Sequence, residues 1–392
     1  FTHLPVMGWR TPEITFAKQS TGWPETPKNA SIWKWKLTLG KSCPKTYVPR
    51  TLFNKLPKNT FGHLRFFGKE GLPHRQPLKV VPEVRKNFPH QVLTLARTSN
   101  LPTVWTNCLA AWGVNAVAGS TLRAEPSWGD LGFLDPSCLF FLLLGSSLIY
   151  AGGCTLNDAF DEKFDSKHNP ERPLPSQQIS PRTVWMLGTI ELGGGLALLT
   201  IGAQCSSLWA FLLVLTVVAY DYLHKKWSGG FVLMGGCRLF LWLTAATAGG
   251  LHGLSPQTWL WGMTLFAYVM GISLFARGES KKREAPARVA ILFLFSSPLL
   301  ALAGLVHWHQ IDPIRQTLIN LTGLLVAWIA FRSIQEMRSG REGAIGKGVS
   351  HLLAGICAID SVALSFYQPS LVAPCLCGIS VALLLQKKFA AT

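Results

Sequence analysis

The sequence predicts an all-α fold, a polytopic membrane bundle of nine to ten transmembrane helices. Three observations predict it. Of the 392 residues, 48% are hydrophobic and only 15% charged, where a soluble domain carries about a quarter charged residues. Apolar runs long enough to cross a bilayer recur along the chain, separated by short charged loops. Lys and Arg also fall on alternate loops. With a cytoplasmic N-terminus, the cytoplasmic loops, the span ends beside them and the tail hold 17 of them and the opposite loops 2, a strong positive-inside bias.

The elements follow in order. Residues 1–92 form a basic, Pro-rich segment, expected to be disordered, a targeting segment or foreign to the mature protein; the chain begins with Phe1. Residues 1–90 hold 16 Lys and Arg against 4 Asp and Glu, which is most of the net charge of +17. The basic excess therefore lies outside the apolar core, and no nucleic-acid partner is expected. Residues 93–392 form the transmembrane domain, with spans near 101–119, 133–156, 183–203, 206–223, 231–250, 258–276, 288–306, 316–334, 348–366 and 370–386. Small residues crowd the third span ("ELGGGLALL") and the fifth ("TAATAGG"), as close helix packing in lipid requires. Arg238 stands inside the fifth span, where a charge is costly unless paired or functional; it could meet a phosphate, or Asp221 at the end of the fourth. Asp360 in the ninth span reads as a polar contact between helices. The nine cysteines lie mostly in apolar runs and read as buried thiols.

The second span runs into "NDAFDEKFDSKHNPERP", residues 157–173. If the helix continues, Asp158, Asp161 and Asp165 share one narrow face, with Lys163 and Lys167 opposite and Asn157 and Glu162 flanking. Stacked carboxylates repel one another unless a cation sits among them. A hard divalent ion suits oxygen ligands, and Mg²⁺ completes its shell with water and phosphate oxygens. Such a site would bind a diphosphate through metal. Asn169-Pro170 ends the helix, and Arg172 could return to a phosphate oxygen.

"NDAFDEKFD" matches the N-D-x-x-D-x-x-x-D motif of the UbiA superfamily of intramembrane prenyltransferases, and "RPLPSQQIS" resembles the stretch that follows it there. "RTSNLPTVWTNCLAAW" resembles the family's first span and puts Asn107 on its asparagine. "YDYLHKKW" resembles its tyrosine and basic pair, here Tyr220, Lys225 and Lys226. The resemblance covers about residues 95–390. It implies a cavity opening to the cytoplasmic side, a prenyl diphosphate donor, a hydrophobic, often aromatic, acceptor and Mg²⁺. Asp158, Asp161 and Asp165 would then hold the metal, supported by Asn157 and Glu279, while Tyr220 shelters an allylic cation. The pattern breaks after the sixth span, where the family's second aspartate motif is replaced by "LFARGESKKREAPAR". Arg277, Lys281 and Lys282 there would neutralise a diphosphate directly. "ARGE" and "MGGCRLFLWLTAA" resemble the EboC-like branch. Prenyl transfer, terpene cyclisation and non-catalytic isoprenoid binding or transport all remain open to such a chain.

Overall fold

The computed structural model describes residues 88–118, 135–251, 253–280, 284–307 and 311–387, with side chains left out at 277–287 and 306–307. Residues 1–87, which hold nearly all of the basic segment, lie outside the described residues. Among those described, the regular structure is entirely helical. A short α1 (Phe88–Leu95) precedes α2 (Leu101–Ala118) and the long α3 (Pro136–His168). Then come α4 (Pro181–Ala197), α5 (Ser207–Leu223), α6 (Gly230–Ala246) and α7 (Pro256–Ser280). The chain continues through α8 (Glu284–Leu294), α9 (Ser296–His307), α10 (Pro313–Arg338), α11 (Ala344–Tyr367) and α12 (Val372–Gln386).

The starts of three of these helices use the same local chemistry. Asp135, Ser180 and Asp312 each precede a proline, at the beginnings of α3, α4 and α10. Each side chain accepts a hydrogen bond from a backbone N–H three residues on. The cap satisfies a donor that the helix cannot, and proline at the first helical position has no N–H to lose.

Each of the ten apolar segments becomes helix. Among the described residues, six helical segments are long and apolar enough to cross a membrane, and α5 and α6 are shorter apolar helices. The expected single span 288–306 is instead a pair, α8 and α9, bent by 50°. The cause is local: Pro298 in the first turn of α9 has no N–H to donate back into α8. Large apolar side chains such as Ile190, Ile201 and Leu324 are about two-thirds exposed or more on the outside of the bundle. Such a surface belongs in lipid, and the chain is an integral membrane protein.

Helix α11 lies at the centre, with 78% of its apolar window buried, against 28% for the last span. α3 and α4 meet through glycines. A Cβ on Gly195 would lie 2.8 Å from the Gly145 carbonyl oxygen, and one on Gly152 would lie 3.0 Å from that of Gly188. Of the "GGG" in α4, only Gly195 makes this contact; Gly193 has nothing within 4 Å of its would-be Cβ. Gly195→Ala is therefore expected to lower the thermal unfolding midpoint in detergent, at a cost of about 1–3 kcal/mol from overpacking against backbone. Gly193→Ala should leave the midpoint unchanged or raise it, because alanine favours helix by about 1 kcal/mol.

Candidate functional site

Helix α3 continues past its apolar part, so its last three turns carry the acidic stretch. Asp158, Asp161 and Asp165 are buried, while Lys163 and Lys167 are exposed. Helical periodicity thus segregates the two charges as the spacing predicts. The chain leaves the helix at Asn169-Pro170 and turns back, which returns Arg172 to the acids.

Every one of these acids is engaged by basic side chains. The Arg172 guanidinium lies 2.7 Å from Asp165 and 3.4 Å from Asp158. Asn169 also donates to Asp165, at 2.8 Å. Arg97 reaches Asp158 at 3.2 Å and the Asn157 side-chain oxygen at 3.4 Å. Arg97 is one of few non-glycine residues in the left-handed region, with φ 44°. That conformation turns the chain sharply between α1 and α2, beside the acidic end of α3. Asp161 meets the Lys225 ammonium at 2.7 Å and His224 Nε2 at 3.3 Å. Burial disfavours a charged His224, but the hydrogen bond and negative charge of Asp161, with the carbonyls of Asp221 and Tyr220, outweigh it and hold the imidazole pKa above its ordinary value.

Asn157 joins α3 to α5: its Nδ2 donates to Asp221 Oδ1 at 3.1 Å. Asp221 is 4% exposed, and its other oxygen, Oδ2, has no hydrogen-bond partner among the described residues. Both residues open onto a cavity of about 370 Å³ with an apolar wall that includes Val217, Leu241, Val269 and Leu353. Tyr150, Tyr220, Arg97 and Arg238 supply more of its polar edge. A second cavity, of about 280 Å³, lies on the other side of Arg97 and is bordered by Asp158, Arg172 and His90.

Not all the sequence-predicted residues gather here. Lys226 lies over the Tyr222 ring, 3.7 Å from its centroid. Arg238 lines the cavity, yet its guanidinium donates to Thr103 Oγ1 and to Asn107 Oδ1, both at 2.9 Å, where Asp221 or a phosphate was expected. Asn107 is fully buried and donates in turn to both oxygens of Asp360, at 2.8 Å. The side chains of Arg277, Glu279, Lys281 and Lys282 lie outside those described. Arg97, His224 and Asp221 are the site residues that sequence reasoning missed. Asp221 and His224 lie within "YDYLHKKW", between the tyrosine and the basic pair, and that was the available signal.

Among the described residues, no three His, Cys, Asp or Glu side chains already converge as ligands for one ion. The ion pairs give the reason, since Asp158, Asp161 and Asp165 each face a basic partner. The donor chemistry nevertheless fits a hard divalent cation. Oxygen donors of Asn157, Asp158 and Asp161 lie on consecutive turns, and the orphaned Asp221 oxygen adjoins them.

Several known proteins resemble this chain. The description "UbiA prenyltransferase family" matches residues 116–342. Digeranylgeranylglyceryl phosphate synthase of Methanopyrus kandleri is 27% identical over 190 residues, 42% of this chain and 66% of that protein. A 4-hydroxybenzoate octaprenyltransferase of a Polaromonas species is 34% identical over 120 residues, 28% of this chain and 41% of that one. The match spans less than two thirds of either relative. A UbiA homologue from Archaeoglobus fulgidus, solved with GPP and Mg²⁺, superposes with TM-score 0.47 at 15% identity, over 74% of this chain and 99% of that one. With more than half of its length matched to the family description, the chain belongs to the UbiA prenyltransferase family.

Proposed function

We propose that the chain is a Mg²⁺-dependent intramembrane prenyltransferase, moving an isoprenyl group from a prenyl diphosphate to a hydrophobic acceptor. One observation carries this reading: a buried set of carboxylates, each matched to a basic side chain, at the edge of an apolar cavity. A site that already balances its charges can take up a metal and a diphosphate by exchanging partners. The carboxylates of Asp158, Asp161 and Asp165, with Asn157, would turn to the cation. Arg97, Arg172, Lys225 and His224 would turn to phosphate oxygens. Guanidinium and ammonium groups then face the anion that departs when the C–O bond ionises. Mg²⁺, when bound, adds positive charge at the same leaving group.

The isoprenoid tail suits the apolar wall of the 370 Å³ cavity. Tyr220, stacked on His224 with ring centroids 5.0 Å apart, lines the cavity near the acids and presents a π-face to an allylic cation. Arg277, Lys281 and Lys282, with Glu279, stay in the proposal as supplementary groups for the diphosphate and metal. Asn107 and Arg238 would act from the cavity's polar edge. The charge bias of 17 to 2 supports an orientation with this end cytoplasmic. The names of the two relatives point to different acceptors, so for this chain the acceptor is proposed as a class only.

The test is diphosphate release from geranylgeranyl diphosphate by the purified chain in detergent, with and without Mg²⁺. Mg²⁺-dependent release supports the reading, and product analysis without acceptor separates transfer from cyclisation. Tight Mg²⁺-dependent binding with no release across donor lengths and acceptors would turn it toward a carrier. Neither binding nor release would end it.

A further inference from the structure

The Asp221 carboxylate has no part in the motif that suggested the metal site. It sits on α5, more than fifty residues further along the chain, and faces the acidic end of α3 across Asn157. Only one of its oxygens is satisfied. Asp221 Oδ1 accepts from Asn157 at 3.1 Å, while Oδ2 is buried without a partner among the described residues. An unmet buried acceptor costs about 1–3 kcal/mol, and more when charged. The three aspartates of α3 differ, for each has Arg, Lys or His within 3.4 Å. Asp221 makes no such ion pair among the described residues, although the charges of His224, Arg97 and Asp161 all act on it.

The position of the orphaned group is informative. Asp221, Asn157 and Arg97 line the same cavity, so Asp221 stands where the polar end of the site meets the apolar wall. A carboxylate held by one oxygen and open at the other is preset for one more bond to an electropositive partner. The nearby Arg and Lys groups are already committed to α3 acids. A hard cation between α3 and α5 satisfies Asp221 Oδ2 and draws on the oxygens of Asn157 and Asp161 as well.

We infer that Asp221 is a direct oxygen ligand of the divalent cation, so that two facing helices, α3 and α5, clamp the ion. This rests on the metal-dependent reading above and extends it to a carboxylate outside the aspartate motif. Binding in place of activity separates the two. Mn²⁺ affinity of the purified full chain in detergent, with inorganic pyrophosphate present, can be followed by the loss of the free-ion spin-resonance signal. Asp221→Asn keeps an oxygen for Asn157 and should fold with an unchanged unfolding midpoint, yet bind Mn²⁺ roughly 10-fold or more weakly. Asp221→Cys places a soft sulfur on the ion and should shift preference from Mn²⁺ toward Cd²⁺ relative to wild type, whose own thiols supply the background. Wild-type Mn²⁺ affinity in Asp221→Asn, with no Cd²⁺ gain in Asp221→Cys, overturns the assignment and leaves the metal reading standing. Absence of Mn²⁺ binding in the wild type overturns both.

Discussion

Asp161→Asn is expected to reduce Mg²⁺-dependent diphosphate release by about 10³-fold, which corresponds to about 4 kcal/mol of lost transition-state stabilisation. The same change should barely alter folding. Its two basic partners have other support: Lys225 is one-third exposed and lies 3.6 Å from the Phe164 ring centroid, and His224 can lose its proton. Water and the ring take up the freed ammonium, so the stability cost is about 1 kcal/mol or less. Asp158→Asn should lose as much activity but more stability. Asp158 stands between Arg97 and Arg172, and only Arg172 has a second carboxylate, at Asp165. Arg97 would keep only neutral contacts such as the Asn157 oxygen. Diphosphate release measured beside the unfolding midpoint checks both variants. Activity of Asp161→Asn within tenfold of wild type would remove its carboxylate from the reaction.

What the sequence made legible was what helical periodicity and composition encode. Aspartates one turn apart predicted a shared acidic face, and α3 presents it. Asn169-Pro170 predicted the helix end, and the helix stops at His168. The glycines of α4 pointed to close packing. What stayed hidden depends on which helices are neighbours. Arg97 lies 61 positions from Asp158, and Asp221 lies 64 from Asn157; no local pattern couples such residues. Arg172 was read as a phosphate ligand because its place after the motif was visible, while its contact with Asp165 was not. The bend at Pro298 was hidden by hydropathy, since the residues on both sides of it are equally apolar. For Arg238 the sequence correctly required a partner but could not supply its name, because Asn107 is uncharged and on another helix.

That last pairing carries the largest expected effect on stability. Asp360→Leu is expected to destabilise the bundle by about 3–5 kcal/mol, read as a large drop in the unfolding midpoint in detergent. Asp360 is fully buried on the central helix α11, and Asn107 of α2 donates to both its oxygens. The opposite end of the same carboxamide accepts from Arg238 of α6. Asn107 therefore links a cation and an anion that make no direct ion pair, and three helices converge on one polar chain inside an apolar bundle. Removing the carboxylate leaves the amide donor unmet and Arg238 without the charge that balances it, in surroundings where water is scarce. The cost comes from breaking the set, so removing the rest of it should recover much of the loss. Asp360→Leu combined with Arg238→Met and Asn107→Leu replaces the chain with side chains that need no partners, and its midpoint should lie well above that of Asp360→Leu alone. Arg238 also borders the cavity, so the triple variant separates two roles of one residue. Recovered stability with weakened prenyl diphosphate binding would show that Arg238 serves both the fold and the ligand. Recovered stability with full binding would confine it to the fold. If Asp360→Leu were as stable as wild type, Asn107 and Thr103 would be sufficient company for a partly buried guanidinium, and the long-range pairing across Asn107 would carry no energy.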